Sequence, residues 1–272
     1  MRDVQVTAQG ARIRWVEMPG DPGRATRVYL HGLGASAAPY FAASAAHPAL
    51  VGHRSLLVDL LGFGISDRPT DFGYTMEDHA DAVATVLEAA AVRKADVVGH
   101  SMGGAVAVLL AARHPHLVGR LVLVDATLDP APAVHGAPGA SGIAAYTEEE
   151  FLTDGWRQVR ENAGPHWWST MRLAGREALH RSATHRARGT EPAVRDLLKA
   201  LPIPRTCLLP AADGPLAGAG ELVAAGVEVV AIPDCGHNIM LDNPDAFAEA
   251  TAHALRAARP AGAGPHDITG GA

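Results

Sequence analysis

Polar and apolar residues alternate over residues 3–7 and 11–17, with Val, Ile and Trp holding apolar places. A period of two is that of a half-buried strand, and Gln9-Gly10 between the segments predicts a hairpin turn. After a Pro/Gly loop at 19–23 the alternation stops. Short apolar runs appear instead at 27–30, 56–60, 95–98, 121–124, 207–209 and 227–232. Strands apolar on both faces belong inside a sheet that is covered by helices. Between the runs lie helical stretches at 75–92, 101–114 and 245–259. Thr75 stands as N-cap of the first, with acidic residues in its opening turn. Asn243-Pro244 precedes the last. Strands alternating with helices predict an α/β fold with a mostly parallel, doubly wound sheet.

Residues 127–201 break this alternation and offer no convincing strand. Pro130, Pro132 and Pro138 make a loop, and Thr147-Glu148-Glu149-Glu150 is a capping box that opens a helix. Helical segments follow near 166–173, 176–186 and 191–201. The expected organisation is a core of 1–126 and 201–259, a helical lid at 127–200 inserted between two core strands, and a flexible tail of Gly, Ala and Pro at 260–272.

Composition narrows the class. Of 272 residues, 48% are hydrophobic and 19% charged, which argues against disorder over most of the length. A net charge of -6 is the wrong sign for a nucleic-acid binder. Two cysteines, Cys207 and Cys235, are too few for a disulfide framework. The start of the chain has no continuous apolar core of a signal peptide, and no apolar run reaches the ~18 residues of a spanning helix. These features predict a cytoplasmic protein that acts on a small molecule, with neither nucleic acid nor membrane as partner. No His, Cys and Asp cluster has ligand spacing, so neither metal nor cofactor is expected.

The strongest chemical signal is Gly99-His100-Ser101-Met102-Gly103-Gly104, which follows an apolar strand and precedes a helix. A G-x-S-x-G turn of this kind lifts the serine hydroxyl above the sheet edge, at the positive end of a helix. Ser101 is therefore the candidate nucleophile. A serine needs a base, and of 14 histidines His237 is the one placed in a loop just after the last strand, on the same sheet edge. His114, His116, His180, His185 and His253 read as solvated helix positions. His100, across the tight turn, reads as a packing residue. The acid that orients the base belongs after an earlier strand. Asp213, in Pro210-Ala211-Ala212-Asp213-Gly214, is taken in preference to Asp125, because Asp213 lies on the same side of the insertion as His237. The oxyanion hole needs two backbone N–H groups. Met102 supplies one, and Leu33, in His31-Gly32-Leu33-Gly34, supplies the other, with the His31 side chain bracing the loop.

These motifs, with Asp59 to Asp67 (DLLGFGISD) and Gly236-His237 followed by Leu241-Asp242-Asn243-Pro244-Asp245, resemble the α/β-hydrolase superfamily over about residues 10–258. The resemblance implies an eight-stranded sheet with only the second strand antiparallel, and a variable lid after the sixth. It also implies that the 62–66 turn is scaffold. Relatives with epoxide hydrolase or dehalogenase chemistry carry Asp where Ser101 stands. Carbon–carbon bond hydrolases often carry Trp after the histidine, where this chain has Asn238. The favoured expectation is a serine hydrolase that cleaves an ester, lactone or thioester of a small, largely apolar substrate through an acyl-enzyme on Ser101. A C–C bond hydrolase, or a biosynthetic lyase or cyclase on the same fold, is the alternative. Substrate choice is expected in the lid, where Trp156, Trp167, Trp168 and Met171 supply apolar surface alongside Tyr146.

Overall fold

The computed structural model describes residues 1–137 and 139–256. The expected tail at 260–272 lies outside the described residues. Eight strands form one sheet: β1 (Arg2–Gln5), β2 (Arg12–Met18), β3 (Arg27–Leu30), β4 (Ser55–Asp59), β5 (Ala95–His100), β6 (Val118–Val124), β7 (Arg205–Pro210) and β8 (Val227–Ile232). Their order across the sheet is β1-β2-β4-β3-β5-β6-β7-β8. β2 runs antiparallel to β1 and β4, and every pairing from β4 to β8 is parallel.

The period of two places successive residues of each central strand on opposite faces. Val28 and Leu30 of β3, Leu56 and Val58 of β4, and Leu121 and Leu123 of β6 enter one hydrophobic core. Tyr29, Leu57, Val122 and Val124 enter the other. All ten are at most 1% exposed, so each contributes on the order of 1.5–3 kcal/mol by burial. The first core is roofed by α2 (Met76–Ala89) and α3 (Met102–Arg113), the second by α1 (Ala37–Ala45) and the C-terminal pair α11 (Ile239–Asp242) and α12 (Pro244–Arg256). Thr75 caps α2 as expected: its hydroxyl accepts from the Asp78 N–H at 3.0 Å and the Asp78 carboxylate accepts from the Thr75 N–H at 3.1 Å.

Several elements extend or add to the sequence reading, and β6 and α1 show why. β6 begins at Val118 rather than 121, because Arg120 is buried within the strand and its guanidinium donates to the Leu255 carbonyl. A strand position occupied by a charge breaks the apolar run that pattern reading looks for. The second is α1, which carries small residues, no charge and Pro39 in its first turn. Proline is tolerated there because those N–H groups lack intrahelical acceptors, and with no charged or periodic face the stretch is not assigned from sequence.

Among the described residues no strand occurs between β6 and β7. That stretch holds α4 (Gly139–Ala144), α5 (Glu148–Glu150), which continues as a π-helical turn Phe151–Gly155, α6 (Trp156–Asn162), α7 (Gly164–Met171), α8 (Arg176–Arg188) and α9 (Val194–Ala200). Polar bonds fix it to the core. Gly175 N–H donates to Gly62 O at 2.8 Å, and the Arg181 guanidinium donates to Thr70 O and Phe72 O, each at 2.7 Å. The buried ring of His79 on α2 meets Ser182 Oγ at 2.9 Å. His180 is also buried rather than solvated, its Nε2 meeting Tyr146 O at 2.8 Å. A helix (α10, Ala219–Ala224) connects β7 to β8.

Candidate active site

The turn from β5 to α3 forces Ser101 to φ 51° and ψ -118°, a conformation that costs on the order of 1–3 kcal/mol for a residue with a side chain. Neighbouring bonds hold it there. Ser101 N–H donates to Val124 O at 3.0 Å, and Ser101 O accepts from Thr127 N–H at 3.1 Å. The tight path also explains the flanking glycines. A Cβ on Gly99 would stand 2.5 Å from Gly103 O, and one on Gly103 would stand 2.5 Å from Leu30 O. Any larger residue at these places would push the elbow away from β3.

The loop after β3 passes against the elbow, with Gly32 so near Ser101 that a Cβ there would lie 3.1 Å from the serine Cβ. His31 braces this loop as the sequence suggested. Its Nδ1–H donates to Gly32 O at 2.7 Å, and its Nε2 accepts from Leu60 N–H at 3.0 Å, so the neutral tautomer is set by two backbone partners. Burial keeps its pKa below the ordinary histidine value, against the pull of Asp59. Leu33 N–H has no protein acceptor among the described residues, and Met102 opens α3, where the helix supplies none. Both N–H groups are thus left for a ligand oxygen.

His237 follows β8. Its backbone carbonyl meets His100 Nε2 at 2.9 Å, and a carbonyl only accepts, so His100 carries its proton on Nε2. The packing residue behind the elbow therefore also anchors the histidine loop. The two rings lie 4.6 Å apart, centre to centre. Burial, then the charge of a protonated His237, push the pKa of His100 down to about 3. His100 is neutral near pH 7 on both counts.

The acid needs correction. His237 Nδ1 lies 2.5 Å from Asp125 Oδ2, so the partner of the imidazole is Asp125 and not Asp213. Asp125 follows β6 directly, with φ 41°, a left-handed conformation that Asp tolerates better than most residues. Asp213 closes the 3-10 turn Ala211–Asp213 after β7 and is exposed. The reason is topological. β6 is the neighbour of β5, so the end of β6 sits beside the elbow, while β7 lies one strand further out. The histidine loop reaches back across the end of β7 to that inner position. Sequence offered Asp125 at the very end of an apolar strand, but strand order, which decides between the two, is not written locally.

Nδ1–H of His237 donating to an ionised Asp125 leaves Nε2 as the basic nitrogen. The His237 side chain is 55% exposed, against 23% for Asp125. Ser101 and His237 line one cavity of about 670 Å³, together with Leu33, Tyr40 and Trp167. No hydrogen bond joins Ser101 Oγ to His237 among the described residues. Cys235, two residues from His237, donates its thiol to Ile232 O at 3.3 Å. Burial raises its pKa, and the acidic side chains around it raise it further, which keeps the thiol protonated.

Of the four lid residues expected at the substrate, Trp167 lines this cavity. Its indole N–H donates to Leu33 O at 2.9 Å, tying the inserted helices to the loop after β3. The other three do not line it. Trp156 lies under the guanidinium of Arg176, 3.9 Å from its ring centre, and Trp168 under that of Arg160 at 5.0 Å. Met171 is buried in the first core. Tyr146 binds Gln158 through its hydroxyl. Tryptophans on successive short helices carry no period that tells cavity from packing. Tyr40 and Arg186 line the cavity without having been foreseen. Among the described residues no cluster of three or more His, Cys, Asp or Glu side chains could hold a metal ion.

Residues 28–215, more than half of the chain, match the alpha/beta hydrolase fold family. The chain belongs to that family. Over 102 residues it is 38% identical to a 2-hydroxymuconate semialdehyde hydrolase of a Pseudomonas species, a match covering 37% of this chain and 36% of that protein. The chain thus spans little more than a third of the length of such curated relatives. Among solved structures, a bromoperoxidase from Bacillus anthracis has a TM-score of 0.76 at 19% identity, covering 94% of this chain and 99% of that one. An esterase from Exiguobacterium antarcticum has 0.74 at 21% identity, covering 94% and 99%. At such identities the α/β hydrolase fold is what these neighbours share with the chain. No helix among the described residues is long and apolar enough to cross a membrane.

Proposed function

We propose that the protein is a serine hydrolase that cleaves a carboxylic ester, lactone or thioester of a small molecule. The observation that carries this reading is the strained serine elbow and the His237–Asp125 pair opening into one cavity. In this mechanism His237 Nε2 takes the proton of Ser101 as Oγ attacks the carbonyl carbon, and Asp125 holds the ring and balances the imidazolium. The N–H groups of Leu33 and Met102 receive the oxyanion. His237 then returns the proton to the leaving alcohol or thiol, and water repeats the cycle on the acyl-enzyme. Catalytic hydrogen bonds of this kind often tighten on substrate binding, so the reading does not require a closed Ser101–His237 contact beforehand. A cytoplasmic location, a catalytic core of 1–126 and 201–259 with a helical lid at 127–200, and a small-molecule substrate belong to the same reading.

A panel of p-nitrophenyl esters of different acyl lengths tests it. Hydrolysis is expected in the wild type, with loss of at least ~10³-fold in kcat for Ser101→Ala, together with stoichiometric labelling of Ser101 by a fluorophosphonate. Activity of the alanine variant within tenfold of wild type refutes the assignment. A second reading, C–C bond hydrolysis of ring-cleavage products, is favoured by the identity to the 2-hydroxymuconate semialdehyde hydrolase. Loss of the absorbance of a ring-cleavage product on adding enzyme, with the ester panel silent, would establish it instead.

A further inference from the structure

Arg186, on α8, lines the cavity that holds Ser101 and His237. Its Nε–H donates to Thr127 Oγ1 at 3.0 Å, and Thr127 N–H donates in turn to Ser101 O at 3.1 Å. Two hydrogen bonds therefore register the guanidinium against the nucleophile. The remaining N–H groups of Arg186 have no protein acceptor among the described residues, and no carboxylate there forms an ion pair with it. The nearby acidic groups are taken. Asp129, on the same cavity wall, is gripped by Arg195 through two bonds of 2.8 and 2.5 Å, and Asp125 is committed to His237. Burial lowers the pKa of Arg186, with no acidic neighbour raising it back. An arginine nevertheless keeps its charge at neutral pH. A half-buried cation without a counter-ion is costly to the apo protein and is offset when an anion arrives.

We infer that Arg186 is a binding residue for a carboxylate carried by the substrate, seated in the catalytic cavity away from the scissile carbonyl. The guanidinium presents two Nη groups in the plane that matches a carboxylate, while the apolar wall of Leu33, Leu128 and Trp167 takes the connecting chain. The inference deepens the serine hydrolase reading and rests on it for the reaction, though the binding site itself does not.

Two measurements test it. In the first, kcat/KM is compared for p-nitrophenyl half-esters of glutaric and adipic acid and for neutral esters in which an isopropyl group replaces the terminal carboxylate. The wild type is expected to prefer a carboxylate ester by ~10-fold or more, as charge-assisted pairing warrants. Arg186→Gln should bring the ratio to about one or below, and Arg186→Lys should restore part of it. In the second, Ser101→Ala protein is titrated calorimetrically with adipate and with adipamide. Adipate should bind more tightly, by a margin lost on adding Arg186→Gln. A wild-type ratio near one with equal binding of adipate and adipamide overturns the inference, and so does a preference that survives Arg186→Gln. Should the wild type hydrolyse no ester while the Arg186-dependent binding of adipate remains, the carboxylate site stands and the acyl-enzyme reading falls. If Arg186→Gln folds poorly, equal binding of adipate and adipamide to the Ser101→Ala protein still overturns the inference, and reduction of the adipate margin in Arg186→Lys or Thr127→Val supports it.

Discussion

Replacing Asp125 by Asn removes one negative charge and leaves the shape of the site. Asn also tolerates the left-handed backbone found there at φ 41°. Two losses follow. The carboxylate no longer stabilises the imidazolium that forms as Ser101 gives up its proton. With charges ~4 Å apart and an effective dielectric between ~20 and ~80, that interaction is about 4 to 1 kcal/mol. The 55% exposure of the His237 side chain argues for the lower half of this range. The second loss is orientation. An amide can turn its NH2 toward Nδ1 and so favour the tautomer whose proton sits on Nε2, where the base is needed. Together they predict a fall in kcat of ~10² to ~10⁴, the upper end being the full effect of losing a triad acid. Asp213→Asn, at an exposed turn, should stay within about threefold of wild type. The assay is steady-state hydrolysis of the best p-nitrophenyl ester, with circular dichroism to verify that both variants fold. If Asp213→Asn loses more activity than Asp125→Asn, the pairing seen at 2.5 Å is not the catalytic one and the assignment is wrong.

Acid should weaken the fold before its carboxylates titrate. His79 and His100 are buried, and burial holds each near a pKa of about 3, while an unfolded histidine titrates near ~6.5. The unfolded chain therefore binds more protons between those values. The stabilisation is complete above ~6.5 and is lost as pH falls toward 3, at about 2 kcal/mol per histidine by pH 5. Urea midpoints at pH 7 and pH 5 should differ accordingly, and less so in His79→Gln; equal midpoints in the wild type would contradict the burial argument. Trp167→Phe keeps an aromatic ring in the cavity but deletes the bond to Leu33 O, which holds the loop proposed to bind the oxyanion. It should lower kcat several-fold with KM little changed; a change confined to KM would make Trp167 a substrate contact alone.

Much of the site is local and could be read from the chain. A serine between Gly99 and Gly103, placed after an apolar strand, can only be a tight elbow, because each glycine abuts backbone that a Cβ would strike. His237 after the last strand, and Leu33 and Met102 after β3 and β5, follow from the rule that loops at the carboxyl ends of parallel strands share one edge. The period of two in the hairpin and the two-faced runs were enough to specify a mostly parallel, helix-covered sheet, while its eight strands and single antiparallel second strand were implied by the resemblance of the motifs to the α/β-hydrolase superfamily. Tertiary structure decided the rest. Asp125 and Asp213 both follow a strand and both fit the chain order, and only the adjacency of β6 to β5 brings one of them to His237. The three tryptophans of the insertion look alike in sequence, yet one meets the cavity and two lie beneath arginines, since short helices joined at irregular angles carry no continuous face. Arg186 looked like any other arginine in an arginine-rich chain. The role proposed for it rests on the lack of a counter-ion among the described residues, and that is a property of three-dimensional neighbours that no local pattern encodes.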